Sequence, residues 1–130
     1  MRRRHTRRGS TALEFALVTP VLVVLSLGVI EYGRLFHQLS FLHVIANDAA
    51  RTGSMQPLDQ DPDLKAEAKA HELLWSYDIR CIYCVETSLN LGTYDTLTVQ
   101  LRQPYIPIAG IIPTPLWLTT ESTMMMWEQI

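Results

Sequence analysis

The sequence has little of what enzymes and metalloproteins use. It contains two cysteines and four histidines in 130 residues, and the histidines lack the spacing of a metal-ligand set or a catalytic triad. It also lacks a glycine-rich phosphate loop and a nucleophile motif. We therefore predict a non-enzymatic protein with no catalytic residue, no cofactor and no metal.

Positive charge is scarce beyond the start of the chain. Five of the eleven basic residues precede Gly9, which leaves six basic residues against thirteen acidic ones in the remainder. A basic flank of this kind stays in the cytoplasm, whereas the acidic remainder can cross a membrane. Arginine clusters also occur in nucleic-acid-binding arms, but such arms flank soluble domains. Here a hydrophobic segment follows at once, so we predict no nucleic-acid partner.

Charge is absent from the sixteen residues between Phe15 and Ile30. As a helix they span about 24 Å, a little less than a hydrocarbon core of ~30 Å. Apolar neighbours on both sides extend the segment to spanning length, with Glu31 and Arg34 near the outer interface. A cleaved secretory signal has similar parts, but the residues after the apolar run, VIEYG, offer no good cleavage site. We predict a retained anchor with a cytoplasmic N-terminus.

Apolar periodicity predicts that this helix continues beyond the membrane. Apolar residues recur at three- and four-residue spacing from Tyr32 to Ala50, which is typical of an amphipathic helix. Gly53 is the expected stop, and Pro20 predicts a kink or a local opening in the apolar half. We expect one long helix over about residues 11–52.

The C-terminal part has mixed patterns. Proline and acidic residues at 61–63 predict the start of a second helix over 64–77. Strict alternation of apolar and polar residues at 96–102 predicts a half-buried strand, and looser alternation predicts strands at 81–89 and 117–127. The predicted fold class is α+β: a long N-terminal helix, then a small domain with one helix and a short antiparallel sheet. The expected units are a basic leader at 1–9, a transmembrane helix at 10–36, the exported half of the long helix at 37–53 and a small periplasmic domain at 54–130.

Cys81 and Cys84 form a CxxC motif. They supply two metal ligands at most, so a zinc site would need His71 or a partner subunit. A redox motif usually begins a helix, whereas this one falls in a predicted strand. Outside the cytoplasm a local disulfide is the expected state, with simple packing, a metal site and redox chemistry as the alternatives.

The stretch from Pro104 to Leu118 (PYIPIAGIIPTPLWL) contains four prolines and no charge. Its aperiodic, proline-rich composition predicts a loop rather than a strand. An uncharged apolar loop either packs against its own domain or contacts a partner or a membrane. The sequence leaves both alternatives open.

The segment RRGSTALEFALVTPVLVVLSLGVIEYGRLF resembles the N-terminus of a type IV-like prepilin. It combines a basic leader, Gly9, a neutral four-residue spacer, the pair Glu14-Phe15 and an apolar helix. Within that superfamily it is most similar to the TadE-like pseudopilins of the tight-adherence (Flp) pilus apparatus, because the apolar run contains a proline and ends near a glycine and an arginine. The resemblance is dense over residues 8–36 and looser beyond them.

This resemblance implies cleavage between Gly9 and Ser10 by a membrane prepilin peptidase. Cleavage exposes an α-amine at Ser10, one helical turn before Glu14. A carboxylate inside the bilayer is costly and therefore marks a functional site, and in pilins its implied partner is the free N-terminus of a neighbouring subunit. Glu14 and Phe15 are thus the expected assembly contact. The alternative is that Glu14 snorkels to the interface, favoured by the helix dipole.

The function implied by the resemblance is that of a minor pilin, or pseudopilin, that helps assemble an adhesive tight-adherence pilus. The implied location is the bacterial inner membrane, with a single pass and a periplasmic C-terminal domain. The implied partners are the prepilin peptidase, other pilins and pseudopilins, the inner-membrane assembly platform and the lipid bilayer. One alternative is an uncleaved single-pass protein whose periplasmic domain scaffolds another envelope complex. A periplasmic thiol oxidoreductase is a third, and it requires reactive Cys81 and Cys84.

Overall fold

A computed structural model of the chain describes residues 7–79, 84–108, 110 and 113–126, with side chains from residue 11 onward. The described chain contains two α-helices, a single 3-10 turn and a three-stranded sheet. The α+β prediction is confirmed. The elements are α1 (Arg7–Ser54), the 3-10 turn (Leu58–Gln60), α2 (Pro62–Ser76), β1 (Val85–Asn90), β2 (Thr96–Pro104) and β3 (Trp117–Met125).

Helix α1 has 48 residues and is about 72 Å long at 1.5 Å per residue. It continues as α-helix through Pro20. Within the apolar half, the hydroxyl of Thr19 donates to the carbonyl of Phe15 at 2.7 Å, and that of Ser26 donates to Leu22 at 2.8 Å. Both hydroxyls are therefore satisfied within the helix, as a lipid environment requires. The predicted long helix is confirmed.

The two halves of α1 have different surroundings. The apolar window near its start is long enough to cross a membrane, and none of it is buried by the rest of the described chain. Burial begins at Glu31 and continues along one face, through Leu35 and Leu42 to Ala49 and Ala50. This three- and four-residue spacing confirms the amphipathic pattern.

Helix α2 runs back along the C-terminal half of α1. Gly53 at the end of α1 lies beside Pro62 and Ala66 at the start of α2. At the other end of α2, the ring of Tyr77 lies 5.2 Å from that of Phe41. Alanines that are fully buried on both helices leave room for this close approach; they are Ala46, Ala49, Ala50, Ala66 and Ala70. The two helices are therefore an antiparallel pair that is packed through small side chains.

The sheet is an antiparallel meander in the order β1-β2-β3. Val99 of the central strand pairs with Thr87 on one side and Ser122 on the other. The apolar face of β2, formed by Leu97, Val99 and Leu101, is fully buried against the helices, which confirms the predicted alternation. Strand β1 begins at Val85, later than the predicted start at Cys81, and residues 80–83 lie outside the described part.

Candidate functional site

The predicted processing and assembly motif lies in the first turns of α1. Gly9 and Ser10 have helical backbone, and Glu14 and Phe15 follow on the exposed surface of the helix. Since 3.6 residues complete one turn, Glu14 lies above Ser10 on the same side of the helix. The geometry is compatible with an amine and a carboxylate presented to one neighbour. The roles of all four residues remain predictions.

A second site, which the sequence analysis did not predict, lies where the apolar half of α1 ends. The hydroxyl of Tyr105 donates to Oε1 of Glu31 at 2.7 Å and also lies 3.2 Å from the backbone carbonyl of Glu31. The backbone N–H of Ile108 lies 3.2 Å from each carboxylate oxygen. Glu31 and Tyr105 are each only 3% exposed. The start of the β2–β3 loop is thus fastened to α1 by a buried carboxylate.

The electrostatics of this contact favour a protonated tyrosine. Burial raises the pKa of the Tyr105 hydroxyl, and the hydrogen bond to Glu31 and the negative charge of Glu31 raise it further. The positive charge of Arg34 lowers this pKa and is the weakest of these influences. Arg34 follows Glu31 by one turn, and its Nη1 is buried without a hydrogen-bond partner in the described part of the chain. Tyr105 therefore remains a hydrogen-bond donor to the carboxylate at neutral pH.

Replacing Tyr105 by phenylalanine is expected to destabilise the domain formed by the C-terminal half of α1, α2 and the sheet. The change removes the stronger of the donors to a buried carboxylate, and leaving such a group under-satisfied costs about 1–3 kcal/mol. Unfolding of the full chain in detergent, followed by circular dichroism, measures the effect. Tyr94→Phe is the matched control, because Tyr94 is exposed. Equal unfolding temperatures for the two variants would contradict a structural role for this hydrogen bond.

The same contact predicts a pH dependence. The pKa of Tyr105 is raised in the folded chain. The contribution of Tyr105 to the free energy of unfolding is therefore fully present below the pKa that tyrosine has in the unfolded chain, about 10. This contribution is lost as the pH rises through the pKa of Tyr105 in the folded chain.

Two further polar contacts join α1 to β3. Nδ1 of His43 lies 3.2 Å from Oγ1 of Thr120, and the hydroxyl of Ser122 donates to Oδ1 of Asn47 at 3.1 Å. Both pairs hold the edge strand against the helix. The other described histidines also have local partners: His37 packs edge-on against Phe41 at 4.6 Å, and Nε2 of His71 lies 3.7 Å from Oε1 of Glu67.

The cysteine prediction is tested only in part. Cys84 is buried and is disulfide-bonded. Cys81 lies outside the described residues, so the pairing of Cys81 with Cys84 remains a prediction. Among the described residues, no group of three or more histidine, cysteine or acidic side chains is arranged to hold a metal ion.

The sequence analysis placed Glu31 near the outer membrane interface but did not identify its partners. The signal that could have indicated them is the combination of an acidic residue at the end of an apolar helix with a tyrosine inside an uncharged loop. A buried carboxylate needs donors, and the loop from Pro104 to Leu118 contains no charged side chain to supply them. Its tyrosine hydroxyl and its backbone N–H groups were the available donors.

Comparison with known families concerns the N-terminal helix. Residues 9–53 match the model of a family described as TadE-like protein. The match begins at the predicted cleavage residue, covers Glu14 and both halves of α1, and ends before the small domain. No curated protein and no solved structure matches the chain. The resemblance seen in the sequence is confirmed over this segment: from Gly9 to Gly53 the chain is similar to TadE-like proteins.

Proposed function

We propose that the chain is a minor pilin, or pseudopilin, that assists assembly of a tight-adherence (Flp) pilus at the bacterial inner membrane and has no enzymatic activity. The observation that carries the proposal is the TadE-like segment at residues 9–53, which contains an apolar helix that the domain leaves uncovered. A helix that is uncovered in the monomer has two suitable environments, which are lipid and the helices of neighbouring subunits.

The proposed orientation follows from charge. The arginines before Gly9 remain on the cytoplasmic side, where the membrane surface is anionic. The acidic remainder crosses, which places the domain formed by α2 and the sheet in the periplasm. The prepilin peptidase then cleaves the chain after Gly9 on the cytoplasmic side.

The proposed assembly step uses the new amine at Ser10. A charged carboxylate is costly inside the bilayer, so a positive charge at the same depth would favour Glu14 there. The Ser10 amine of a neighbouring subunit is such a partner, while the apolar surface of α1 packs against neighbouring helices. Other pilins and pseudopilins and the inner-membrane assembly platform are the proposed partners.

The test is intact-mass measurement and N-terminal sequencing of the protein purified from the membrane of its own host. The proposal expects a mature chain that begins at Ser10. Recovery of the chain with Met1 to Gly9 still attached would contradict it and would favour the alternative, an uncleaved single-pass protein that scaffolds another envelope complex.

A further inference from the structure

The loop between β2 and β3 spans residues 105–116, and its described start, residues 105–108, is held at one particular level of α1. Ile108 donates its N–H to the carboxylate of Glu31, and Tyr105 donates to the same group. The loop is closed at its base by a backbone hydrogen bond of 2.9 Å from Tyr105 to the carbonyl of Leu116. Glu31 directly follows the uncharged run that ends at Ile30. The start of the loop therefore lies beside the end of the apolar half of the helix.

The position of Glu31 along the helix gives its expected depth in a membrane. From Thr11 to Glu31 the helix rises by about 30 Å at 1.5 Å per residue, which equals the thickness of a typical hydrocarbon core. If the core begins near Thr11, Glu31 lies at its outer boundary. The loop that is bonded to Glu31 then lies at the surface of the outer leaflet.

The surface of the loop suits that position. Three apolar residues of the loop and the first residue of β3 are between 61% and 79% exposed. They are Ile106, Ile108, Leu116 and Trp117. The sequence from Pro104 to Leu118 contains no charge. On the helix itself, Val29 and Ile30 are also exposed just before Glu31. Tryptophan prefers the membrane–water interface, because its ring is apolar and its N–H is polar.

We propose that the exposed apolar residues at the two ends of this loop, Ile106, Ile108, Leu116 and Trp117, form a lipid-binding surface that lies in the outer interface of the bilayer, next to the helix that spans it. The inference rests on the proposed function for the insertion of α1. The apolar side chains enter the upper acyl region, about 5–10 Å deep as for other interfacial segments, and Trp117 lies at headgroup level. Glu31 and Tyr105 act as positioning residues, because their hydrogen bond holds the loop at this depth.

The chemistry of the contact explains how a carboxylate is tolerated there. At the boundary of the hydrocarbon, an unsatisfied carboxylate would be strongly unfavourable. Glu31 instead accepts hydrogen bonds from Tyr105 and Ile108, and Arg34 follows it one helical turn later. A protein partner is the other occupant to consider. The absence of charge across the loop and its level with the end of the span favour lipid.

Depth-dependent quenching of tryptophan fluorescence tests the proposal. The full chain is reconstituted in vesicles of phosphatidylethanolamine and phosphatidylglycerol, with lipids brominated in the upper acyl chain as quenchers. Trp75→Phe with Trp127→Phe leaves Trp117 as the reporter, and Trp117→Phe with Trp127→Phe leaves Trp75. Trp75 is exposed near the end of α2 that meets Phe41, and Phe41 is about 15 Å beyond Glu31 along α1.

We expect the bromolipids to quench Trp117 several-fold more strongly than Trp75. Adding Ile106→Ser and Ile108→Ser to the chain that retains Trp117 should reduce that quenching toward the Trp75 level. Leu64→Ser is the control, because Leu64 is an exposed apolar residue of α2 and should leave the quenching unchanged.

Alkaline carbonate extraction of the same vesicles separates the two ways in which the idea would fail. Chain that is extracted is not integrated, and this result would overturn both the proposed membrane anchoring and the loop inference. Chain that resists extraction while Trp117 and Trp75 are quenched equally would overturn the loop inference alone. The exposed apolar residues would then be assigned to a protein partner.

Discussion

Glu14→Ala is expected to abolish piliation while the protein remains inserted in the membrane, folded and abundant. The carboxylate lies on the exposed surface of α1, far along the helix from the buried core that begins at Glu31. Removing it therefore leaves the packing of the domain unchanged. Insertion should become easier, because an apolar residue replaces one that costs a few kcal/mol inside hydrocarbon.

Assembly should fail because the proposed pair would lose one member. In a low-dielectric setting the attraction between opposite charges is stronger than in water. Removal of one partner leaves the other buried and uncompensated, which typically costs about 3–5 kcal/mol. The Ser10 amine of the neighbouring subunit would be left in that state.

The measurement combines membrane fractionation with a count of pili by electron microscopy in the same cells. Glu121→Ala is the matched control, because it makes the same substitution at an exposed position of β3 and should leave piliation normal. Gly9→Val is a second comparison, expected to retain the leader because a branched side chain adds bulk at a position where glycine, which has no Cβ, lets the backbone enter the protease cleft. Normal piliation in cells with Glu14→Ala would contradict the proposed pair. It would favour the alternative that Glu14 snorkels to the membrane interface at the end of the helix.

Gly53→Ala is expected to destabilise the exported domain by about 1–3 kcal/mol, the usual cost of overpacking a close-packed site. A Cβ atom at Gly53 would lie 2.7 Å from the backbone carbonyl oxygen of Pro62 and 2.8 Å from Cβ of Ala66, and it would also overlap the side chain of Leu97. The carbonyl belongs to the first turn of α2, so relief requires the two helices to move apart. The gain in helix propensity from glycine to alanine, about 1 kcal/mol, is too small to offset the clash.

The matched control is Gly33→Ala in the same helix, because a Cβ atom at Gly33 has no neighbour within 4 Å among the described residues. Thermal unfolding of the full chain in detergent, followed by circular dichroism, should give a lower transition temperature for Gly53→Ala and no loss for Gly33→Ala. If both variants unfold at the wild-type temperature, the contact between α1 and α2 is looser at Gly53 than the structure indicates.

Features that depend on local pattern could be predicted from the sequence alone. One long helix was predicted from an uncharged run followed by apolar residues at three- and four-residue spacing. This prediction was possible because helical periodicity depends only on residues within about two turns of each other. The same holds for β2, where strict alternation at residues 96–102 was sufficient, and for Pro62 at the start of α2. The resemblance to TadE-like proteins likewise rests on residues close together in the chain, from Arg8 to Phe36.

The roles of Glu31 and Gly53 depend on tertiary contacts that local pattern does not specify. Tyr105 and Ile108 are 74 and 77 residues from Glu31 in the chain, and no local pattern specifies which loop meets the end of a helix. Gly53 was predicted as a helix stop, and α1 does end one residue later, but its closest constraint is the carbonyl of Pro62 on another helix. Burial and steric overlap depend on which surfaces meet after the chain has folded, and this information is absent from the spacing of residues along one segment.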